Sequence, residues 1–244
     1  MYVRRYWFSI FVVVDRCLLY SKTSRQIGAV ITKDREILSM GANDCPRAGG
    51  GLYWPQLRDH GKYEDEPNGR DYMCGFDSNK MEQQKIIKSL LDEFDITYND
   101  ENVERAKAAG IGDLTEYGRV VHGEMEALLS CARNNISCRN ATLYATTFPC
   151  HNCAKHIIAA GIKRVVYIEP YPKSKAFDFY TAEISDSVYD DAKVVFEPFT
   201  GVGPQRYNDL FAMNSTRWYT KKRKKKEEKA PEAPRRTSGF DITI

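Results

Sequence analysis

Two short stretches constrain this chain more than any others: His122-Gly123-Glu124, and further on Pro149-Cys150-His151-Asn152-Cys153. Cysteines three apart at the start of a helix can turn both sulfurs toward one point. The unpaired N–H groups and positive end of the helix there favour thiolates. One imidazole and two thiolates suit Zn²⁺, and a catalytic zinc keeps three protein ligands and leaves its fourth position for water. His122, Cys150 and Cys153 are therefore the expected metal ligands. Zinc lowers the pKa of such a water to about 7. Glu124, two residues from His122, is then the expected proton carrier, taking a proton from the attacking water and passing it on. A lone Cys-x-x-Cys would fit a redox pair or a structural zinc equally well. A closed zinc site with Cys131, Cys138 or His151 as fourth ligand is the competing reading, and His151 and His156 otherwise read as surface or packing residues.

The rest of the chain has the composition of a folded protein, with 42% hydrophobic and 12% aromatic residues in 244. That length suits one domain with a sizeable core. No apolar run approaches the roughly 20 residues that cross a bilayer. Tyr6 to Val14, after Arg4 and Arg5, mimics a signal peptide. Asp15, Arg16 and Cys17 follow it instead of a small-residue cleavage site, so a buried first helix is expected. Seven cysteines, two of them in the metal motif, suggest reduced thiols and a cytoplasmic compartment. Net charge is +3, but ten Lys/Arg against four Asp/Glu lie between Arg217 and the C-terminus, leaving the body near −3. That distribution argues against a broad nucleic-acid-binding face on the body.

Along the chain, Tyr2 to Tyr20 reads as a helix, with a strand possible because of its β-branched middle. Ile27 to Ile31 and Glu36 to Met40 form a hairpin around Asp34-Arg35. Asn43 to Leu52 is a loop punctuated by Gly49-Gly50-Gly51. Residues 54–118 are mostly polar and read as an insertion too polar to bury a core alone, with helical patterns at Asn79 to Phe94 and Asn102 to Ala109. Then come a helix from His122 to Asn134 with Met125, Leu128, Leu129 and Ala132 on one side, and a strand from Ala141 to Thr146. A helix from Cys150 to Ala160 is closed by Gly161. The last elements are a strand from Arg164 to Glu169, a helix from Ser174 to Ile184 and a strand from Ala192 to Phe196. Strands separated by helices imply parallel pairing in an α/β sandwich. The expected organisation is a domain over 1–216, with the insertion at 54–118, and a basic tail over 217–244. That tail is expected to be disordered and solvated, or a tether to nucleic acid or another polyanion. Cys45, His60 and Cys74, with Cys17, make a second zinc conceivable, although unpaired cysteines fit their loose spacing better.

The His-x-Glu and Pro-Cys-x-x-Cys pair is the signature shared by zinc-dependent base deaminases. The frame around it resembles the deoxycytidylate deaminase branch of the cytidine deaminase superfamily. The residues that carry the resemblance are Ser24 to Val30, Gly41 to Asp44, Val121 to Ala127 and Phe148 to Lys155. Pro46 to Trp54, Glu169 to Ser174, and Phe196 to Phe199 with Arg206-Tyr207 further resemble the deaminase part of anti-phage dCTP/dCMP deaminases. The resemblance implies a three-layer α/β/α fold around a mixed, mainly parallel five-stranded sheet. It also implies a homo-oligomer, and a site in which Asn43 bonds the sugar and base edge. Tyr171 would stack on the pyrimidine, Ala29 would offer backbone near the base, and Arg25 would meet the phosphates with Lys173 and Lys175. The Gly49 to Gly51 loop is a weaker phosphate candidate. No G-x-x-x-x-G-K-[ST] is present, so the P-loop kinase-like domain that anti-phage members often carry has no counterpart in the sequence. Gly123 stands where alanine is usual and should be tolerated.

The implied activity is hydrolytic deamination of dCTP or dCMP to the deoxyuridine nucleotide, which would lower a dCTP pool in antiviral defence. Two competitors are a nucleic-acid-editing deaminase anchored by the tail, and a catalytically silent nucleotide sensor.

Overall fold

The computed structural model describes residues 27–200 apart from His60. The expected first helix, Arg25, Cys17, His60, Arg206-Tyr207 and the basic tail lie outside the described residues. The chain opens on a hairpin of β1 (Gly28–Lys33) and β2 (Glu36–Ala42). Asp34 and Arg35 both have positive φ, 50° and 72°. A two-residue loop of that kind matches the twist of the strands it joins. Within the insertion lie a two-stranded ribbon, β3 (Gln56–Leu57) and β4 (Tyr63–Glu64), and the helices α1 (Asp71–Cys74), α2 (Ser78–Glu93) and α3 (Asp100–Ala108). After it come α4 (Gly123–Arg133), β5 (Thr142–Thr147), α5 (His151–Ala159) and β6 (Arg164–Glu169). The last elements are α6 (Ala176–Phe179), β7 (Ile184–Ser185) and β8 (Val194–Pro198).

The main sheet runs β2-β1-β5-β6-β8-β7. β1 pairs antiparallel with both β2 and β5, and the other three pairings are parallel. The sheet is mixed and mainly parallel, as the resemblance implies, but has six strands rather than five. The additional strand is Ile184–Ser185, which falls at the end of the expected Ser174–Ile184 helix. Only Ala176–Phe179 of that segment is helical. Ile184 is 3% exposed and pairs with Val194 at the sheet edge, so the chain leaves the helix to bury it there.

One face of the sheet presents Ala29, Ile31, Leu143, Ala145, Val165 and Phe196 to the same apolar core as Ala127 and Leu128 of α4 and Ala154 and Ile157 of α5. The buried side of α4 differs from the expected one. Gly123, Glu124, Ala127, Leu128 and Cys131 face inward, whereas Leu129 is 40% exposed. Helix α4 carries apolar residues on two sides, and periodicity alone cannot say which one meets the sheet. The outer residues instead line a shallow apolar groove with Ile136, Cys138 and His156.

The two expected helices of the insertion are present. Asp77 and Asn99 cap α2 and α3, their side chains accepting the N–H groups of Lys80 and Asn102. Contrary to expectation, the insertion does bury a small core of its own: Ile87, Leu91 and Val103, with Ala106 and Ile111 against them. Three apolar residues on facing helices suffice for a satellite cluster of that size.

Candidate active site

The site lies where two helix starts meet the carboxyl ends of parallel strands, the usual place for a ligand in an open α/β sheet. β5 runs through Phe148 and Pro149 into Cys150, the residue that precedes α5. His122 takes the same position before α4. Both have extended backbone, with φ −70° and ψ 150° for His122 and φ −67° and ψ 162° for Cys150. The Phe148 N–H donates to the Glu169 carbonyl at 2.7 Å, which fixes the ends of β5 and β6 side by side.

His122 Nδ1 lies 3.4 Å from Cys150 Sγ and 3.4 Å from Cys153 Sγ. The three ligand atoms all lie within 4.8 Å of one another, and they form the one such group of metal-binding side chains among the described residues. Zinc at its usual bond lengths to nitrogen and sulfur places tetrahedral N and S ligands about 3.6 Å apart. Donor set and spacing therefore both fit zinc. Cys131 instead contacts the Ser39 hydroxyl and Cys138 approaches the Ala160 carbonyl, so neither supplies a fourth donor. His151 packs edge-on against Phe179, and the His156 Nδ1 meets the Asn152 carbonyl. The Cys45 thiol donates to Asp71, while Cys74 takes the Arg119 guanidinium at 2.8 Å. Those two cysteines form no metal cluster with the other described residues.

The Cys153 N–H points at Cys150 Sγ from 3.4 Å, so Cys150 caps α5 through its sulfur. The hydrogen bond from Cys153 and the neighbouring His122 hold the Cys150 thiol down at about 4 despite burial. The Cys153 thiol is pushed up, first by donating to Cys150 and then by burial. One negative charge is thus shared by the pair, and His122 is pushed up by its bond to Cys150. Glu124 is 1% exposed, with Oε2 at 3.7 Å from Cys153 Sγ. Burial raises its carboxyl from 4.5 to about 7. A carboxyl with such a pKa can both accept and return a proton near neutral pH.

The remaining expected residues are placed less uniformly. Ala29 is buried in β1, opposite Gly41 and Ala145, in the core cluster that includes Cys153. Asn43 follows β2, and its Oδ1 accepts the Ile27 N–H at 2.8 Å. Tyr171 is half-buried against the main core. Lys173 is exposed and paired with Asp113 of the insertion at 2.6 Å. Gly49 to Gly51 all have positive φ, but Gly50 packs on the Arg133 side chain near the far end of α4, away from His122.

Two contacts that the sequence reading did not single out bear on the site. The Ser174 hydroxyl donates to the Pro149 carbonyl at 2.8 Å, tying the loop after β6 to the cysteine turn. Arg70, buried in the insertion, donates to Asp44 beside Asn43. No local pattern marks either residue; both are polar residues in loops whose partners are distant in sequence.

The fold and the donor set define a zinc-binding α/β domain of the deaminase type. A family model described as the cytidine and deoxycytidylate deaminase zinc-binding region matches residues 5–169, and the chain belongs to that family. The deoxycytidylate deaminase of Enterobacteria phage T2 is 49% identical over 55 residues, covering 22% of this chain and 29% of the phage protein. The human deoxycytidylate deaminase is 33% identical over 101 residues, 41% of this chain and 53% of that protein. The chain thus spans less than a third of the phage relative's length and about half of the human one's. Among solved structures, the dCMP deaminase of cyanophage S-TIM5 in complex with dCMP and dUMP aligns with a TM-score of 0.46 at 16% identity, over 82% of this chain and 99% of that one.

Proposed function

We propose that this chain is a zinc-dependent hydrolase that converts a deoxycytidine nucleotide and water to the deoxyuridine nucleotide and ammonia, with His122, Cys150 and Cys153 as the zinc ligands. The observation that carries the reading is the buried Glu124 carboxyl, raised to about 7 beside the three donors. A buried acid with that pKa, 3.7 Å from a metal-type thiol, is built to move protons rather than to support the fold. The family and the deoxycytidylate deaminases among its relatives support cytosine as the base.

A zinc ion on these three side chains supplies a Lewis acid that makes water a nucleophile near neutral pH. Glu124 takes one proton from the attacking water and gives it to the ring nitrogen beside the amine; it then carries the second proton, from the new hydroxyl on the same carbon, to the amine, which leaves as ammonia while that hydroxyl becomes the carbonyl. Cys150 and Cys153 would hold the metal at a helix start, with the Cys153 N–H aimed at the Cys150 sulfur. Asn43 orients the sugar and base edge, Ala29 lines the base, and Tyr171 covers the ring. Arg25 and Lys173 serve the phosphates. On this reading dCTP is a substrate alongside dCMP, the protein acts in the cytoplasm as a homo-oligomer, and its effect is to lower the dCTP pool in antiviral defence. The support for dCTP and defence is the likeness of Pro46 to Trp54 and Glu169 to Ser174 to the anti-phage deaminases.

The test incubates zinc-loaded protein with dCMP, dCTP, CTP and cytidine and follows the uracil product. Turnover of dCMP or dCTP above the ribonucleotide and the nucleoside is expected. Zinc-loaded protein that turns over none of the four would sink the proposal. Turnover of a cytosine-containing oligonucleotide alone would point to the editing class instead.

A further inference from the structure

Arg70 is the one arginine of the described residues that is almost wholly buried, at 3% exposure, and it stands in the insertion rather than in the deaminase core. Its Nε donates to Asp44 Oδ2 at 2.8 Å, and one terminal nitrogen donates to the same oxygen. The other terminal nitrogen reaches Asp65 Oδ1 at 3.3 Å. The second oxygen of Asp44 accepts the N–H of Cys45 at 2.8 Å. All of the Asp44 carboxylate is therefore committed, with one end on the insertion and the other on its own chain.

The Asp44 backbone reaches the site in two directions. It precedes Cys45 and follows Asn43, whose own N–H donates to the Ile27 carbonyl at 3.2 Å and whose Oδ1 accepts the Ile27 N–H. It also forms a two-bond bridge with Val121: the Val121 N–H donates to the Asp44 carbonyl at 2.9 Å, and the Asp44 N–H to the Val121 carbonyl at 3.3 Å. Val121 adjoins His122. A second arginine closes the clasp from the other side. Arg119, two residues before Val121, donates to the Gly69 carbonyl at 3.0 Å and to Asp71 at 3.2 Å, the two chain neighbours of Arg70.

We propose that Arg70 is a positioning residue of the active site: through Asp44 it fixes the backbone between Asn43 and the His122 segment, so that the insertion is part of the substrate-binding machinery. The proposal rests on the deaminase reading above, in which Asn43 meets the sugar and base edge. Without Arg70 the Asn43-Asp44 segment would keep its bonds to Ile27 and Val121, but its carboxylate would lose the tie to the insertion. Two donors of the planar guanidinium converge on Asp44 Oδ2 while the Cys45 N–H holds Oδ1, and the two partners together fix the carboxylate plane as well as its position. A lysine keeps the charge and loses that orientation. Displacements of about an ångström in groups that position a substrate can cost up to about a hundredfold in rate.

The experiment compares Arg70→Lys, Asp44→Asn and the double variant with wild type, all as full-length zinc-loaded protein, using dCMP. Zinc content and the melting curve report the fold, and kcat and KM are measured separately. Arg70→Lys is expected to keep one zinc per chain, raise KM about tenfold, and change kcat less than about threefold, as loss of ground-state positioning does. The double variant should be no worse than the poorer single one, because both remove the same link. If Arg70→Lys fails to fold or to hold zinc, Asp44→Asn decides, and a raised KM with full zinc content supports the proposal. An unchanged KM in the folded variant, additive effects in the double variant, or activity lost only in step with zinc would overturn it. Calorimetric titration of dCMP separates the two readings. Wild type that binds dCMP but turns over neither dCMP nor dCTP defeats the deaminase reading, while unchanged dCMP affinity in Arg70→Lys defeats this one. Wild type that neither binds nor turns over dCMP or dCTP defeats both.

Discussion

Gly41 and Gly123 bring strand β2 and the start of α4 into backbone contact: a Cβ on Gly41 would stand 2.1 Å from the Gly123 carbonyl oxygen and 2.4 Å from the Ala127 nitrogen. These neighbours are backbone atoms of a helix, so no side chain can swing aside. Gly41→Ala must push α4 away from the sheet, and with it His122 and Glu124. Overpacking of this kind typically costs about 1–3 kcal/mol. The expected result is a lower melting temperature together with weaker zinc retention against a chelator. Gly123 is tight as well, since its Cβ would lie 2.6 Å from the Ile27 carbonyl oxygen. Gly123→Ala is expected to lose stability too, although alanine is usual at this place in the resembling family. A Gly41→Ala protein with wild-type melting and zinc retention would show that β2 and α4 separate freely.

Glu124 sets up opposite effects on activity and on stability. Its carboxyl is wholly buried and raised from 4.5 to about 7, so the folded protein prefers the protonated form. Between those two values the unfolded chain loses its proton first. The metal-free protein therefore loses stability as pH rises from about 4.5 to 7, by up to about 3 kcal/mol at one unit per 1.4 kcal/mol. Glu124→Gln keeps the shape without the charge. We expect it to abolish turnover while binding one zinc. In metal-free form it should melt higher than wild type at pH 8 and equally near pH 4. Wild-type rates in Glu124→Gln would remove Glu124 from the chemistry.

Cysteine chemistry distinguishes Cys150 from Cys45. The Cys150 thiol is held at about 4 by the Cys153 hydrogen bond and His122, and it is partly accessible. The Cys45 thiol is pushed up to about 12, first by burial and then by Asp71. Since the thiolate is the nucleophile, alkylation rate follows thiolate fraction and access. Iodoacetamide at pH 6 on chelator-treated protein should label Cys150 first and well before Cys45, read by peptide mass spectrometry. Added zinc should protect Cys150 and leave Cys45 unchanged. Early labelling of Cys45 would mean that its burial is not maintained in solution.

The metal group, the hairpin and five of the six strands of the main sheet are legible because each is written in local pattern. His122, Cys150 and Cys153 declare themselves by residue type and spacing, and Asp34-Arg35 by its place between two apolar runs. The fate of Ile184 is not legible, because Ser174 to Ile184 has helical spacing while the pairing that decides it is with Val194 across the sheet. Arg70 is silent in the sequence for the same reason: a charged residue in a loop gives no sign that its partner is Asp44, 26 positions earlier. The inner side of α4 was ambiguous for a different reason. Leu128 borders both apolar stripes, and only the approach of Gly41 at one flank decides which stripe is buried.

Lys173 joins the proposed phosphate site to the insertion, and the pairing can be read in kinetics. Its ammonium lies 2.6 Å from Asp113 Oδ1, with both side chains well exposed. The carboxylate holds the Lys173 pKa above the ordinary lysine value, so the charge persists across the working pH range. An exposed pair of this type contributes little to folding. Asp113 instead competes with any phosphate for the same ammonium. Asp113→Asn should leave the melting curve unchanged and lower KM for dCTP about two- to threefold, with a smaller effect on dCMP, which carries less charge. That gain should fade near 0.5 M salt, where charges separated by more than about 4 Å are screened. Lys173→Ala should raise KM for both nucleotides and leave that for deoxycytidine unaltered. If Asp113→Asn and Lys173→Ala leave nucleotide KM values equal to wild type at low salt, Lys173 is a surface charge and the phosphates are held elsewhere.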